Sequence, residues 1–515
     1  MATDPVEPMA MYVLLPLRGL HSEELARVGT HRALFEQAAS ERLSVLAHGM
    51  VVPPQPHPHP QLKVLHSICP TGPKLVELGP AEMAALRVSD PGVRAVPLVR
   101  YEQARRPVLE VESELYPAAT VAAATTLQLR CVDARTRAPL RGALVSAFAD
   151  FARRVGAGGM SDAQGRVALR LGAAPVRLEV LAAYGPPGYW GIGRRHVLLQ
   201  DGAELAFEPV DLSVPDFAAE LYAQLPPDAG RGVAVGVIDS GVDLHHPDLA
   251  VAGGAACVAE EGDEGGPGPA ARRGEHGSHV AGIIASTGGL RAGAAPGKRG
   301  VAPGVRLHSY RVFPNSGRGA TNYDIVRAID QGVADGCDLL NLSLGSAQPD
   351  EVVEVAMKDA FDRGTVCVCA AGNDGRAPVS YPAAWSIAVA VSSAAKQGTY
   401  PAGSSEALDE VEPFAPADPR IYISGFSNAG PAIDLTGPGG GIVSTLPGGL
   451  YGVMSGTSMA CPAVCGMAAA LLSARPDVLA LPRGRERAIA VIGLLTQAAR
   501  PLGLPPTLEG AGLPR

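Results

Sequence analysis

No stretch of this 515-residue sequence concentrates basic residues, and its formal net charge is -8 with a sequence pI of about 5.9. The cationic footprint that phosphate recognition needs is missing, which excludes nucleic acid as a partner. No apolar run approaches the roughly 20 residues that span a bilayer. The start, MATDPVEPMAMYVLLPLRGL, carries Asp4 and Glu7 where a secretory leader would carry Lys or Arg, and no small-residue cleavage site follows its apolar part. MAMYVLLPL therefore reads as a strand of a folded domain, and the chain as cytoplasmic or exported by a non-classical route. Disulfide-scaffold density is absent too. The eight cysteines, Cys69, Cys131, Cys257, Cys337, Cys367, Cys369, Cys461 and Cys465, are scattered, several within apolar runs such as TVCVCAAGN, where a reduced thiol behaves as a small buried hydrophobe. Cys461 and Cys465 are spaced to share a helix face, but no second His or Cys pair completes a zinc site.

The composition, 47% hydrophobic and 18% charged, is that of a globular chain, and its length exceeds what one ordinary core serves. We divide it into residues 1–115, a mixed α+β region; 116–210, a small β-sandwich; 211–228, a linker; and 229–515, an α/β domain. The first region is interrupted by VVPPQPHPHP, where proline breaks helices and ladders alike; His57 and His59 there read as part of a solvated loop. In the second, alternating runs such as TLQLRCVDA and GRVALRL are separated by turn signals. Pro215, Pro226 and Pro227 mark the connector. In the last region VAVGVID, DLLNLSLG, TVCVCAAG and SIAVAVS are near-continuous apolar runs of strand length, separated by segments with helical periodicity. Strands buried on both faces look like this, so the reading is a doubly wound, mainly parallel sheet with function gathered at the carboxyl ends of its strands.

Chemistry-bearing residues fall at such places. Asp239 ends VAVGVID, Asn373 follows TVCVCAAG, His276 opens the helical HGSHVAGIIAS, and Ser458 lies in SGTSMACP at the start of an alanine-rich helix. Alone, Asp239 is equally a turn former and Asn373 a turn residue. Taken in order, DSGVD, HGSHVAG, NLSLG, AAGND and SGTSMACP resemble the signature blocks of the subtilisin-like serine peptidases, over about 230 to 500.

The resemblance implies a serine endopeptidase that hydrolyses peptide bonds through an acyl-enzyme. Ser458 would be the nucleophile, His276 its base, Asp239 the residue that orients the imidazole, and Asn373 a side-chain donor to the oxyanion hole beside the Ser458 N–H. Ser343, Leu344 and Gly345 match the strand that pairs with substrate. Ala371, Gly372 and Ser380 match the wall and floor of the pocket for the residue before the scissile bond, with Asp374 at its rim. Ser278 stands where Thr is usual, and Ala463 where His is common. No cofactor is implied for catalysis. Structural calcium is, and Asp248 matches one ligand; the loop STGGLRAGAAPGKRG lacks the Asn-containing stretch, which speaks against that site. His245 and His246 read as a solvent-facing turn.

The segment LKVLHSICPTGPKLVELGPAEMAALRVSDPGVRAVPLVRYE is weakly similar to the propeptide domains of that family, and VDARTRAPLRGALVSAF with SDAQGRVAL resembles the carboxypeptidase-regulatory or transthyretin-like sandwiches. A cleavable inhibitory domain usually precedes its protease directly, whereas here a sandwich intervenes. The N-terminal region is accordingly expected as an attached cis-regulator or docking module, with self-cleavage left open. Two insertions, AEEGDEGGPGPAARRG and the stretch from Gly398 to Arg420, read as loops around the cleft. The expected partners are polypeptide substrates. Rival functions are another serine hydrolase, such as an esterase or transacylase, and a non-catalytic binding scaffold.

Overall fold

The computed structural model describes residues 9–21, 63–69, 71–89, 92–115, 126–172, 175–262, 265–289 and 297–515. The segment carrying His57 and His59 lies outside them. The C-terminal region is built on an eight-stranded sheet. From one edge it runs Val251–Ala256, Arg306–Arg311, Ala234–Asp239, Leu339–Leu342, Val366–Ala370, Val389–Lys396 and Ile421–Ile423, with Leu435–Pro438 also paired to Val389–Lys396. Every pairing is parallel except that of Ile421–Ile423.

Period-two side-chain alternation explains the apolar runs. Val366, Val368 and Ala370 point into one core, together with the helices Glu275–Ala285 and Thr457–Ser473; Cys367 and Cys369 point into a second core, together with Asn322–Ala334 and Glu351–Asp362. Helices thus cover both faces, the doubly wound arrangement. All eight cysteines are unpaired. Cys461 is wholly buried on the Thr457–Ser473 helix, its Sγ within reach of two acceptors, Asn341 Oδ1 at 3.1 Å and the Val368 carbonyl at 3.2 Å; burial pushes its thiol well above the usual range.

Ahead of this lie two smaller units. Four antiparallel strands, in the order Lys63–Ser67, Lys74–Leu78, Ala10–Leu15 and Arg94–Pro97, form a sheet with the helix Pro80–Ser89, joined by a core of Leu14, Val76, Leu78 and Leu86. The unit docks on the two helices that cover the second core: on the first, His66 Nδ1 meets the Tyr323 hydroxyl at 2.8 Å, His21 Nε2 meets Asp330 Oδ1 at 3.0 Å, and Asn322 Nδ2 donates to the Pro97 carbonyl at 3.1 Å; on the second, Glu351 pairs with Arg94. The hydrogen bond to Asp330 raises the His21 pKa to about 10, so the contact is ionic across the ordinary pH range.

Next come a three-stranded sheet, Arg166–Arg170, Thr126–Asp133 and Glu204–Phe207, and a five-stranded one, Ile192–Leu199, Val176–Tyr184, Leu144–Asp150, Val155–Met160 and Ser113–Glu114. Leu127, Leu129, Val167 and Phe207 of the first share a core with Val145, Ala147, Leu178 and Leu181 of the second, so the two sheets pack as a sandwich. Ser113–Glu114 pairs with Val155–Gly156, so strand pairing begins ahead of the expected boundary at 116. The expected linker is also partly structured: Asp216 caps the helix Phe217–Leu221, which buries Phe217 in the first core, and Asp216 Oδ2 accepts from Val443 N–H at 2.9 Å.

Candidate active site

Asp239 and His276 are brought into contact by the strand and helix that carry them. Both are fully buried, and His276 Nδ1 lies 2.8 and 2.9 Å from the two Asp239 carboxylate oxygens. The carboxylate is steadied further by the Ser240 N–H, 2.6 Å from Oδ1. Bonding at Nδ1 assigns the proton there and leaves Nε2 as the acceptor, the tautomer a general base needs. Nε2 is buried without a hydrogen-bond partner among the described residues.

Ser458 is the second residue of the Thr457–Ser473 helix, which packs against the His276 helix. Its Oγ donates to the Ser343 carbonyl at 3.0 Å, and Ser343 Oγ returns a bond to the Ser458 carbonyl at 3.0 Å. Asn373 lies just past the strand Val366–Ala370. Its Oδ1 accepts from Thr457 N–H at 2.8 Å, which fixes the amide and leaves Nδ2 as a buried donor with no partner among the described residues. An unpartnered buried amide is costly unless the site has a use for it. Gly372, at φ +104°, makes this approach possible: a Cβ there would sit 2.3 Å from Asn428 Nδ2 and 2.4 Å from Ser380 Oγ.

The other expected binding residues gather beside this centre. Ser380 N–H donates to the Ala371 carbonyl at 2.9 Å, Asn428 Nδ2 reaches Ser380 Oγ at 3.2 Å, and a Cβ on Gly345 would lie 3.2 Å from the Ser380 Cβ. Asp374 is exposed and accepts from Asn428 Nδ2 at 3.0 Å. Ser278 Oγ accepts from Asp243 N–H at 2.9 Å, and Ala463 is buried in the first core. Asp248 Oδ1 accepts from Gly289 N–H at 2.8 Å and Thr287 Oγ1 at 3.2 Å, while Oδ2 takes the Tyr451 hydroxyl. His245 is exposed, as expected. His246 is not: it is 1% exposed, with Nε2 3.1 Å from the Leu450 carbonyl and Nδ1 accepting from Asp248 N–H, because the turn folds under the Leu450 strand.

Sequence reasoning missed the chain's own occupant of the cleft. Arg100–Gln103 forms the middle strand of a three-stranded antiparallel sheet, with Arg100 and Tyr101 opposite Thr321 and Ala320 on one side, and Glu102 and Gln103 opposite Gly345 and Leu344 on the other. The run continues beyond the strand. Ala104 N–H donates to the Ser343 carbonyl at 3.0 Å, Ser458 N–H donates to the Ala104 carbonyl at 3.0 Å, and Arg106 N–H donates to the Ser455 carbonyl at 2.8 Å. Arg105 Nη1 lies 3.1 Å from Oε1 of Glu275, the neighbour of His276. A Cβ on Gly456 would lie 2.9 Å from both the Ala104 oxygen and the Arg105 Cα, so only glycine lets the chain pass this close to the Ser458 helix. The alternation of Val99, Tyr101 and Gln103 was the local signal for this strand, but its partners lie more than 200 residues away.

The model of the subtilase family matches residues 230–508. Subtilisin E of Bacillus subtilis (strain 168) is 36% identical over 251 residues, which is 48% of this chain and 57% of that protein. Subtilisin of Bacillus pumilus is 36% identical over 251 residues and matched over 79% of its length, and Subtilisin Savinase of Lederbergia lenta is 34% identical over 249 residues and also matched over 79%. The chain thus spans little more than half of the first of these relatives. With more than half of its own length inside the family model, the chain belongs to the subtilase family, the subtilisin-like serine peptidases.

Proposed function

We propose that the protein is a serine endopeptidase acting on polypeptides, held in check by its own N-terminal region, with Ala104–Arg105 at the position of the scissile bond. What supports this reading above all is the run from Arg100 to Arg106, which is bonded through its main chain on both sides and puts the Ala104 carbonyl oxygen on the Ser458 N–H. Edge pairing of this kind recognises an extended peptide irrespective of sequence, and it favours a polypeptide substrate over a small ester.

Each step has a residue. Ser458 Oγ leaves the Ser343 carbonyl and attacks the carbonyl carbon, while His276 Nε2 takes its proton and Asp239 steadies the imidazolium. The negative charge that develops on the carbonyl oxygen falls to the Ser458 N–H and the waiting Asn373 Nδ2. The proton passes to the leaving nitrogen, the C–N bond breaks, and water, deprotonated by the same imidazole, releases the acyl group from Ser458. No cofactor is needed in this reading. The four-stranded unit acts as a cis-inhibitor through the segment that follows it, and the sandwich stands between that segment and the peptidase.

Intact-mass analysis and fluorophosphonate labelling of the wild type beside Ser458→Ala test the reading. The wild type should take the label and yield a fragment beginning at Arg105, and the variant should do neither. A wild type that takes no label would remove the peptidase reading.

A further inference from the structure

Past the Ala104–Arg105 bond the chain grips the cleft through two arginines. Arg105 meets Glu275. Arg106 is only 9% exposed: its Nε lies 2.7 Å from Asp409 Oδ2, and its Nη2 donates to the Ser405 carbonyl at 3.0 Å. Glu406, also buried, adds a second carboxylate that acts on the Arg106 charge, and its Oε1 accepts from Ser455 Oγ at 3.3 Å. Ser455 is the residue whose carbonyl holds the Arg106 N–H, and it lies three positions before Ser458. The acidic pocket is therefore fixed relative to the nucleophile, and the main-chain register that places Ala104 delivers the second following side chain into it. Asp409, Glu406 and Ser405 all come from the insertion between Gly398 and Arg420, in the helical turn Ser405–Asp409.

Two carboxylates in one buried pocket are costly without a cation to face them. Burial already lifts Asp409 to about 6 with Arg106 in place. The site thus has a chemical preference that a plain surface loop lacks, and a guanidinium meets it with charge and directed N–H groups together.

We propose that Glu275, Glu406 and Asp409 make the leaving-group side of the cleft selective for substrates with basic residues at the first two positions after the scissile bond, the second of them seated against Asp409. This rests on the reading that residues 100–106 lie in substrate register.

The test uses the full chain with Arg106→Ala, which empties the pocket of its own arginine. Two internally quenched peptides are compared, one with the sequence of residues 101–108 and one with Ala in place of its second Arg. Truncating one partner of a buried ion pair is costly enough that kcat/KM should be about tenfold or more higher for the arginine peptide. Adding Asp409→Asn, or Glu406→Gln should that chain fail to fold, should remove the preference. Equal kcat/KM for the two peptides would overturn the proposal, as would cleavage of neither while Ser458 still takes fluorophosphonate. Failure to label at all would instead strike the peptidase reading, and the proposal with it.

Discussion

Tyr101 offers the most direct test of the proposal that the N-terminal region closes the cleft. It is fully buried, shares the second core with Ala320, Tyr323 and Leu344, and its hydroxyl lies 3.3 Å from Asp350 Oδ2. Truncating a completely buried aromatic side chain to alanine costs about 3–5 kcal/mol. Because Tyr101 belongs to the occluding segment, that loss falls on the closed state and leaves the open one largely untouched. At about 1.4 kcal/mol per factor of ten, Tyr101→Ala should raise the population of the open cleft by about a hundredfold or more. The assay is the pseudo-first-order rate at which a fluorophosphonate modifies Ser458 in the full chain. Tyr101→Phe, which gives up only the long hydroxyl contact, should move the rate by less than about tenfold. A Tyr101→Ala chain that keeps its circular dichroism spectrum and is modified no faster than the wild type would refute the reasoning, since the segment would then not control access.

Two further outcomes follow from the site. Asn373→Ala removes the unpartnered Nδ2 donor, and kcat for peptide hydrolysis should fall by about a hundred- to a thousandfold with a much smaller change in KM, the behaviour reported for such donors in this family. His279 is wholly buried, with Nε2 3.1 Å from each of the Ile442 and Gly452 carbonyls; burial, then the neighbouring His276, lowers its pKa from 6.5 to about 3. Between these values the unfolded chain binds a proton that the folded chain refuses, so this residue's contribution is fully present above pH 6.5 and is lost as pH falls toward 3, at up to about 1.4 kcal/mol per pH unit. Asp409 and Asp324, both raised to about 6 by burial, act in the opposite sense between their ordinary 3.8 and 6. The quantity to measure is therefore the difference between wild type and His279→Asn in urea midpoint across pH 4 to 7; a constant difference would show that the imidazole binds its proton equally in the folded and unfolded chain, and so that burial does not shift it.

The doubly wound sheet was legible because its central strands are covered on both sides, so runs such as VCVCA carry no polar residue at all. The polar blocks around Asp239, His276, Asn373 and Ser458 stood out against those runs, and their order supplied what no single block could. The occluding strand was not legible in the same way. Strand pairing leaves no mark on the partners' sequences beyond alternation, and Arg100–Gln103 is too short to announce two edges at Ala320 and Leu344. His246 misled for a related reason: a histidine before proline has the local character of an exposed turn, and only the Leu450 carbonyl, some 200 residues on, draws it inside. The insertion from Gly398 to Arg420 reads as surface loop from composition, yet it holds Arg106 and rests on the sandwich.

That last contact bears on what a broken backbone would look like. Gly193 N–H donates to the Gly403 carbonyl at 2.9 Å, Ser405 N–H to the Gly191 carbonyl at 3.2 Å, and Arg195 to the Leu408 carbonyl at 2.8 Å, so the sandwich is clasped to the peptidase through bonds in which the Ala104–Arg105 peptide takes no part. The four-stranded unit has its own moorings at Tyr323, Asp330 and Asn322. A molecule nicked after Ala104 would therefore migrate as one particle in size-exclusion chromatography and fall into two pieces only in denaturant, and its age since cutting would be invisible to any native measurement of mass.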